Sequence, residues 1–240
     1  MTEADFPLLS LIITIPLLGA LLAGSIRNVD VAKQIAFFTA LITFVLTACA
    51  TLLFDADKSG FQLVERYDWI PLLKIEYLVG VDGISVLFLP MTGLLTIITM
   101  LASWSAISHS SRFHFSLLLA LESVSIGVFC ALDTVLFFLF WELTLPPFFF
   151  LIGLWGIGSQ RRSAAMKYTL FMLAGGVTLL LAIIVLATNH AKQIGGQIPN
   201  DLTFSLPILL NTPLPDNLQT LVFLLLLFGF AVKAPLVPLH

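Results

Sequence analysis

"FFLFWELTLPPFFF", residues 137–150, sets one carboxylic acid, Glu142, inside a stretch that is otherwise almost wholly apolar. Phe, Leu and Trp precede it, and two prolines and three phenylalanines follow closely. What surrounds this stretch decides the fold. Of the 240 residues, 59% are hydrophobic and 10% charged, with a mean hydropathy of +1.05. A soluble domain carries about 25% charged residues, so this chain has too few to coat a water-facing surface. A helix crosses a bilayer with roughly 20 apolar residues, and apolar runs of that order lie at 7–26, 32–53, 82–104, 113–132, 133–155, 165–188 and 219–239. The fold class is all-α: a polytopic transmembrane helix bundle of about seven spans, with the seventh broken by prolines. Residues 1–240 read as one transmembrane domain, in which 1–81 hold two helices and an outside loop, and 82–240 hold the rest.

Polar connections lie at 54–81 and 189–218, the second marked as a loop by Gly195, Gly196, Pro199, Pro213 and Pro215. One set of loops carries Arg27, Lys33, Arg112, Arg161, Arg162 and Lys167 against a single acid, Asp30. The opposite set carries Lys58, Arg66, Lys74 and Lys192, spread over longer loops with Glu3, Asp5, Asp201, Asp216 and other acids. The positive-inside rule puts the first set in the cytoplasm, which leaves the N-terminus outside. The N-terminus does not read as a secretory signal, because acids precede the first apolar run and Arg27 follows it.

Several chemistries are excluded. The two cysteines, Cys49 and Cys130, are far apart and each sits in an apolar run, so neither a clustered metal site nor a structural disulfide is expected. No Gly-rich phosphate loop is present, and no basic stripe invites nucleic acid.

Three ionisable residues remain inside the spans: Glu122, Glu142 and Lys233. Each costs roughly 2.5–3.5 kcal/mol near the bilayer centre, and such groups face a bundle interior or water. Pro146 removes the backbone hydrogen bond that would return to the Glu142 carbonyl, and Pro147 extends the break, leaving a polar pocket beside the carboxyl. Lys233 is followed by Pro235 and Pro238, and interrupted helices at membrane depth line cavities and build ion sites in transporters. An acid and a base placed so are suitable parts of a proton relay. A lone buried Glu also serves as hydrogen-bonding glue between helices, and a Lys also snorkels. The helix-breaking neighbours favour function at Glu142 and Lys233. Glu122, with no breaker beside it, is balanced between glue and relay. Asp82 and Asp133, at span edges, read as helix caps, and His109, His114 and His190 read as solvated loop residues.

"DTVLFFLFWELTLPPFFFLIGLWG" at 133–156 and "FAVKAPLVPLH" at 230–240 resemble the two signature segments of the antiporter-like subunits of respiratory complex I, above all the subunit M (chain 4) branch of NADH:quinone oxidoreductase. "VDGIS" at 81–85 and "RRSAAMKY" at 161–168 fit the same family in the same order. The resemblance implies a membrane-arm subunit that moves protons while other subunits carry NADH, FMN, iron–sulfur clusters and quinone, with no redox centre or cofactor in this chain. It implies as partners the other membrane-arm subunits, the lipid bilayer and protons. The location implied is a bacterial cytoplasmic membrane or, as the alternative, a thylakoid or other energy-converting membrane. The family's key glutamate falls on Glu142, its lysine on Lys233, and the histidine after the second signature on His240. The family shows one proline after the glutamate, matching Pro147, so Pro146 is an additional break. The implied fold has two inverted five-helix repeats, of which this chain would hold three leading helices and part of the first repeat, as a piece of a longer protein or a truncated product. Multisubunit sodium/proton antiporters and energy-converting hydrogenases share both segments, and a non-conducting scaffold is the alternative of a different class.

Overall fold

The computed structural model describes residues 6–237. Glu3, Asp5, Pro238 and His240 lie outside the described residues. The helices are α1 (Leu8–Ser25), α2 (Val29–Leu53), α3 (Ser85–Ser103), α4 (Ser111–Cys130), α5 (Thr134–Leu143), α6 (Leu145–Trp155), α7 (Arg161–Gln193), the short α8 (Leu206–Leu209) and α9 (Asp216–Lys233). Counting α5 and α6 as one broken span, seven segments are long and apolar enough to cross a membrane. Large apolar side chains such as Leu52 at 85% exposure and Leu21 at 63% point away from the protein, as lipid-facing surface requires.

The chain divides into two compact units. The first comprises the described residues up to Glu65 and Val79–Cys130, and holds α1 to α4. Small residues let its helices approach closely. Ala32, Ala36, Ala40, Thr43, Thr47 and Ala50 form the buried face of α2. Gly19 of α1 is pressed against the Thr39 side chain, and a Cβ on Gly93 of α3 would lie 3.1 Å from the Phe44 Cα. In lipid, packing of this kind substitutes for the hydrophobic drive that holds soluble helices together. Charges sit at helix ends. The buried Glu65 carboxylate accepts from the Leu9 N–H at 2.6 Å, the Ser10 N–H at 3.1 Å and the Ser10 hydroxyl, covering the N-terminus of α1. Arg112 donates to the Ile26 carbonyl at 2.9 Å at the other end of α1. Lys33 donates to the Trp104 carbonyl at 2.6 Å just after α3. Asp82 accepts from the Ser85 and Ile84 N–H groups. Burial pushes its carboxyl up, but these hydrogen bonds outweigh that and hold it below the usual carboxylate range.

The second unit comprises Arg66–Leu78 and the described residues from Ala131 onward. Helix α7 is its spine, with α5, α6 and α9 packed along it. Leu179, Ile183 and Ala187 on α7 form a core with Ile75 and Phe204. Asp133 caps α5 by accepting from the Val135 and Leu136 N–H groups, as its position at a span edge predicts, and it also accepts from the Glu76 N–H. Burial pushes the Asp133 carboxyl above its ordinary value despite these three donors.

Three expectations change. The stretch 54–81 is not a plain connection: β1 (Gln62–Ile70) and β2 (Ile75–Val81) form a two-stranded hairpin across a turn of 3-10 helix. Reading for runs of spanning length overlooks strands, which need only five or six residues. Helix α7 runs well beyond 165–188 at both ends. His114 is not a solvated loop residue but a buried residue of α4, 7% exposed. Nor is His190 in a loop; it lies in α7, with Nδ1 2.7 Å from the Thr212 hydroxyl.

Candidate functional site

The stretch around Glu142 forms two helices rather than one. Pro146 and Pro147 follow the first residue of α6, where missing N–H groups cost least, but they deprive the last turn of α5 of its donors. Helix α5 therefore stops at Leu143, and Thr144 joins it to α6. Helix α9 ends with Lys233, followed by Ala234 and Pro235.

The Glu142 side chain and the helix that carries Lys233 meet α7 at neighbouring glycines. A Cβ on Gly176 would lie 2.7 Å from the Glu142 Cδ and 3.2 Å from its Oε2, with Oε1 closer still. A Cβ on Gly175 would lie 2.9 Å from the Val232 Cβ, next to Lys233. Gly229 of α9 returns the close approach, since a Cβ there would lie 3.1 Å from the Gly175 carbonyl oxygen. The pair Gly175-Gly176 is thus the notch that brings the acid-bearing and base-bearing helices to the same level of α7.

Glu142 and Lys233 share this level but form no ion pair. The Lys233 ammonium instead donates to the Trp141 carbonyl at 2.5 Å and to the Thr144 hydroxyl at 2.8 Å, and it stands 4.0 Å from the centre of the Trp141 ring. Helix α5 presents the negative end of its dipole at this break, so the lysine caps a helix terminus that prolines have stripped of donors. The Glu142 Oε2 is buried and accepts no hydrogen bond from the protein. Phe137 and Phe230 pack against the Trp141 ring, closing the site on one side with aromatic surface. On another side a cavity of about 460 Å³ reaches Lys233, lined by Lys167, Tyr168, Phe171, Met172, Val232 and Pro235. That gives the ammonium a route to space large enough for water.

Of the residues singled out from the sequence, Glu142, Lys233, Pro146, Pro147 and Pro235 converge here. Glu122 lies in the first unit, on α4, 1% exposed and with neither carboxyl oxygen hydrogen-bonded. His240 and Pro238 lie outside the described residues. Sequence reading passed over Trp141, Thr144 and the two glycines. The signals available were a Gly pair in the middle of an apolar helix and a hydroxyl beside two prolines.

Residues 131–240 match the transmembrane family of NADH:quinone oxidoreductases and Mrp antiporters. The chain is 36% identical over 99% of its length to NAD(P)H-quinone oxidoreductase chain 4 of Synechococcus, of which it covers 42%. It is 33% identical over 98% of its length to F(420)H(2) dehydrogenase subunit M of Methanosarcina mazei, of which it covers 47%. A chain of respiratory complex I from Thermus thermophilus superposes with a TM-score of 0.82 at 25% identity, covering 97% of this chain and 45% of that one. The chain thus spans less than half the length of these relatives. The similarity is to this transmembrane family over residues 131–240, which carry both signatures, and to these relatives over nearly the whole chain.

Proposed function

We propose that this chain is the proton-translocating part of a membrane-arm subunit in a complex I-type quinone oxidoreductase, with Glu142 and Lys233 as exchanging groups. One observation carries the reading: a half-buried acid abuts Gly176 of α7 while the helix bearing a half-buried base abuts Gly175 through Val232, both beside a helix break, and the base opens onto a cavity. Intramembrane ionisable groups at interrupted helices mark ion pathways. Electron transfer belongs to other subunits, which would hold NADH or another donor, FMN, iron–sulfur clusters and quinone. Coupling then reaches this chain through neighbouring membrane-arm subunits. His240, beyond the described residues, and Glu122 are proposed extensions of the relay. The membrane is a bacterial cytoplasmic membrane or a thylakoid-type energy-converting membrane, with Lys58 and Asp201 outside.

A second reading, a subunit of an Mrp-type sodium/proton antiporter, draws support from the family match, whose description covers both machines. Glu142→Gln in the full-length protein, assembled in its complex and reconstituted in proteoliposomes, tests the first. The side chain keeps its shape and loses its charge, so assembly is retained and protons moved per electron fall steeply. Glu142→Asp retains part of the activity. Wild-type pumping in the Gln variant would defeat the relay and leave Glu142 as helix glue. Sodium-dependent proton flux without electron transfer would favour the antiporter.

A further inference from the structure

Lys233 is usefully seen through what holds it. Thr144 is buried, 6% exposed, at the junction of α5 and α6. Its hydroxyl donates to the Trp141 carbonyl at 2.8 Å, which fixes the proton and leaves the oxygen to accept from the Lys233 ammonium at 2.8 Å. The same carbonyl accepts directly from the ammonium, and the Trp141 indole face lies beneath it. Every partner is neutral. A carboxylate partner would bind the ammonium more tightly, because hydrogen bonds between two ionised groups are stronger than those with one.

We propose that Thr144 is a positioning residue for Lys233: its hydroxyl, with the Trp141 carbonyl and ring, forms a neutral seat at the α5–α6 break that holds the ammonium apart from Glu142. The seat supplies dipole and π-face without cancelling the charge, so Lys233 is oriented yet free to leave for a stronger acceptor. The carbonyl's two lone pairs accept from the hydroxyl and the ammonium together, and the α5–α6 break places it in the last turn of a helix, where carbonyls lack intrahelical partners. The consequence for pumping rests on the function proposed above; the seat itself does not.

Thr144→Val and Thr144→Ser, made in the full-length protein within its assembled complex, separate hydroxyl from shape. Val keeps the shape and loses the acceptor; Ser does the reverse. Protons moved per electron in proteoliposomes should fall about ten-fold in Thr144→Val, the weight of one hydrogen bond to a charged group, while Thr144→Ser retains most of the activity. The ultraviolet resonance Raman bands of Trp141, identified by their loss in Trp141→Phe, report the ammonium over the ring whether or not protons move. They should shift in the Val variant and stay in place in the Ser variant. Unshifted bands in Thr144→Val, or equal shifts in both variants, overturn the seat. Should the Val variant fail to assemble, Thr144→Ala provides the hydroxyl-free protein for the same measurements. Lys233→Met is the control for function: if it pumps like wild type, the relay fails, while the Raman bands still judge the seat.

Discussion

Lys233 illustrates how a charge survives at membrane depth without a counter-charge. Its ammonium has three donors, and the Trp141 carbonyl and Thr144 hydroxyl take two of them. The indole face adds about 0.5–2 kcal/mol, the range for cation–π contacts from exposed to desolvated. Glu142 lacks a comparable arrangement, since its Oε2 accepts nothing from the protein. The two residues nonetheless flank one notch, so each feels the other's charge through a medium of low dielectric. A double-mutant cycle of Glu142→Gln and Lys233→Met, scored as proton pumping at a level where both single variants keep partial activity, should show losses smaller than their sum. Strictly additive losses would mean that the acid and the base work independently. The candidates Glu142 and Lys233 were legible from the sequence because ionisable residues stand out in apolar runs. The seat was not legible, because a backbone carbonyl carries no sequence signal and Thr144 lies 89 positions from the lysine it holds.

Among the elements, α7 bears the main responsibility for the site, through two glycines with different consequences. An added methyl at Gly175 meets Val232, whose branched Cβ is stiff and belongs to the helix that carries Lys233. Gly175→Ala should therefore force α9 away and destabilise the protein by about 1–3 kcal/mol, the usual range for overpacking, seen as a lower melting temperature of the purified complex. An added methyl at Gly176 meets only the end of the Glu142 side chain. That end is flexible, so Gly176→Ala should melt near the wild-type temperature. The displaced atoms are the functional carboxyl, however, so its infrared carboxyl bands, assigned with Glu142→Gln, should shift and pumping should fall. A melting temperature lowered more at Gly176 than at Gly175 would refute this division of labour. The hairpin of β1 and β2 had its own sequence signal: short runs rich in Tyr, Trp, Val and Ile around Pro71–Lys74.

Taken as a whole molecule, the chain uses several of its scarce charges to finish helices. Glu65 and Arg112 close the two ends of α1, Lys33 the end of α3, Asp133 the start of α5 and Lys233 its end. The sidedness of the second unit follows from Arg161, Arg162 and Lys167 at one end of α7. That helix has 33 residues, about 50 Å at 1.5 Å per residue, which exceeds a hydrocarbon core of about 30 Å. With Cys49 and Cys130 replaced, single cysteines at Ser159 and Asn200 should react with an impermeant thiol reagent from opposite sides, Ser159 from the cytoplasm. Labelling of both from one side would overturn this topology. By itself the sequence determined the membrane class, the number of spans and the ionisable candidates within them, because all of these follow from hydropathy and charge along the chain. Only the tertiary structure decided which glycines admit the two charged helices, and that Lys233 rests on a carbonyl and a hydroxyl rather than on Glu142. Those outcomes depend on backbone groups and close approaches between distant segments, and no linear pattern of residues encodes them.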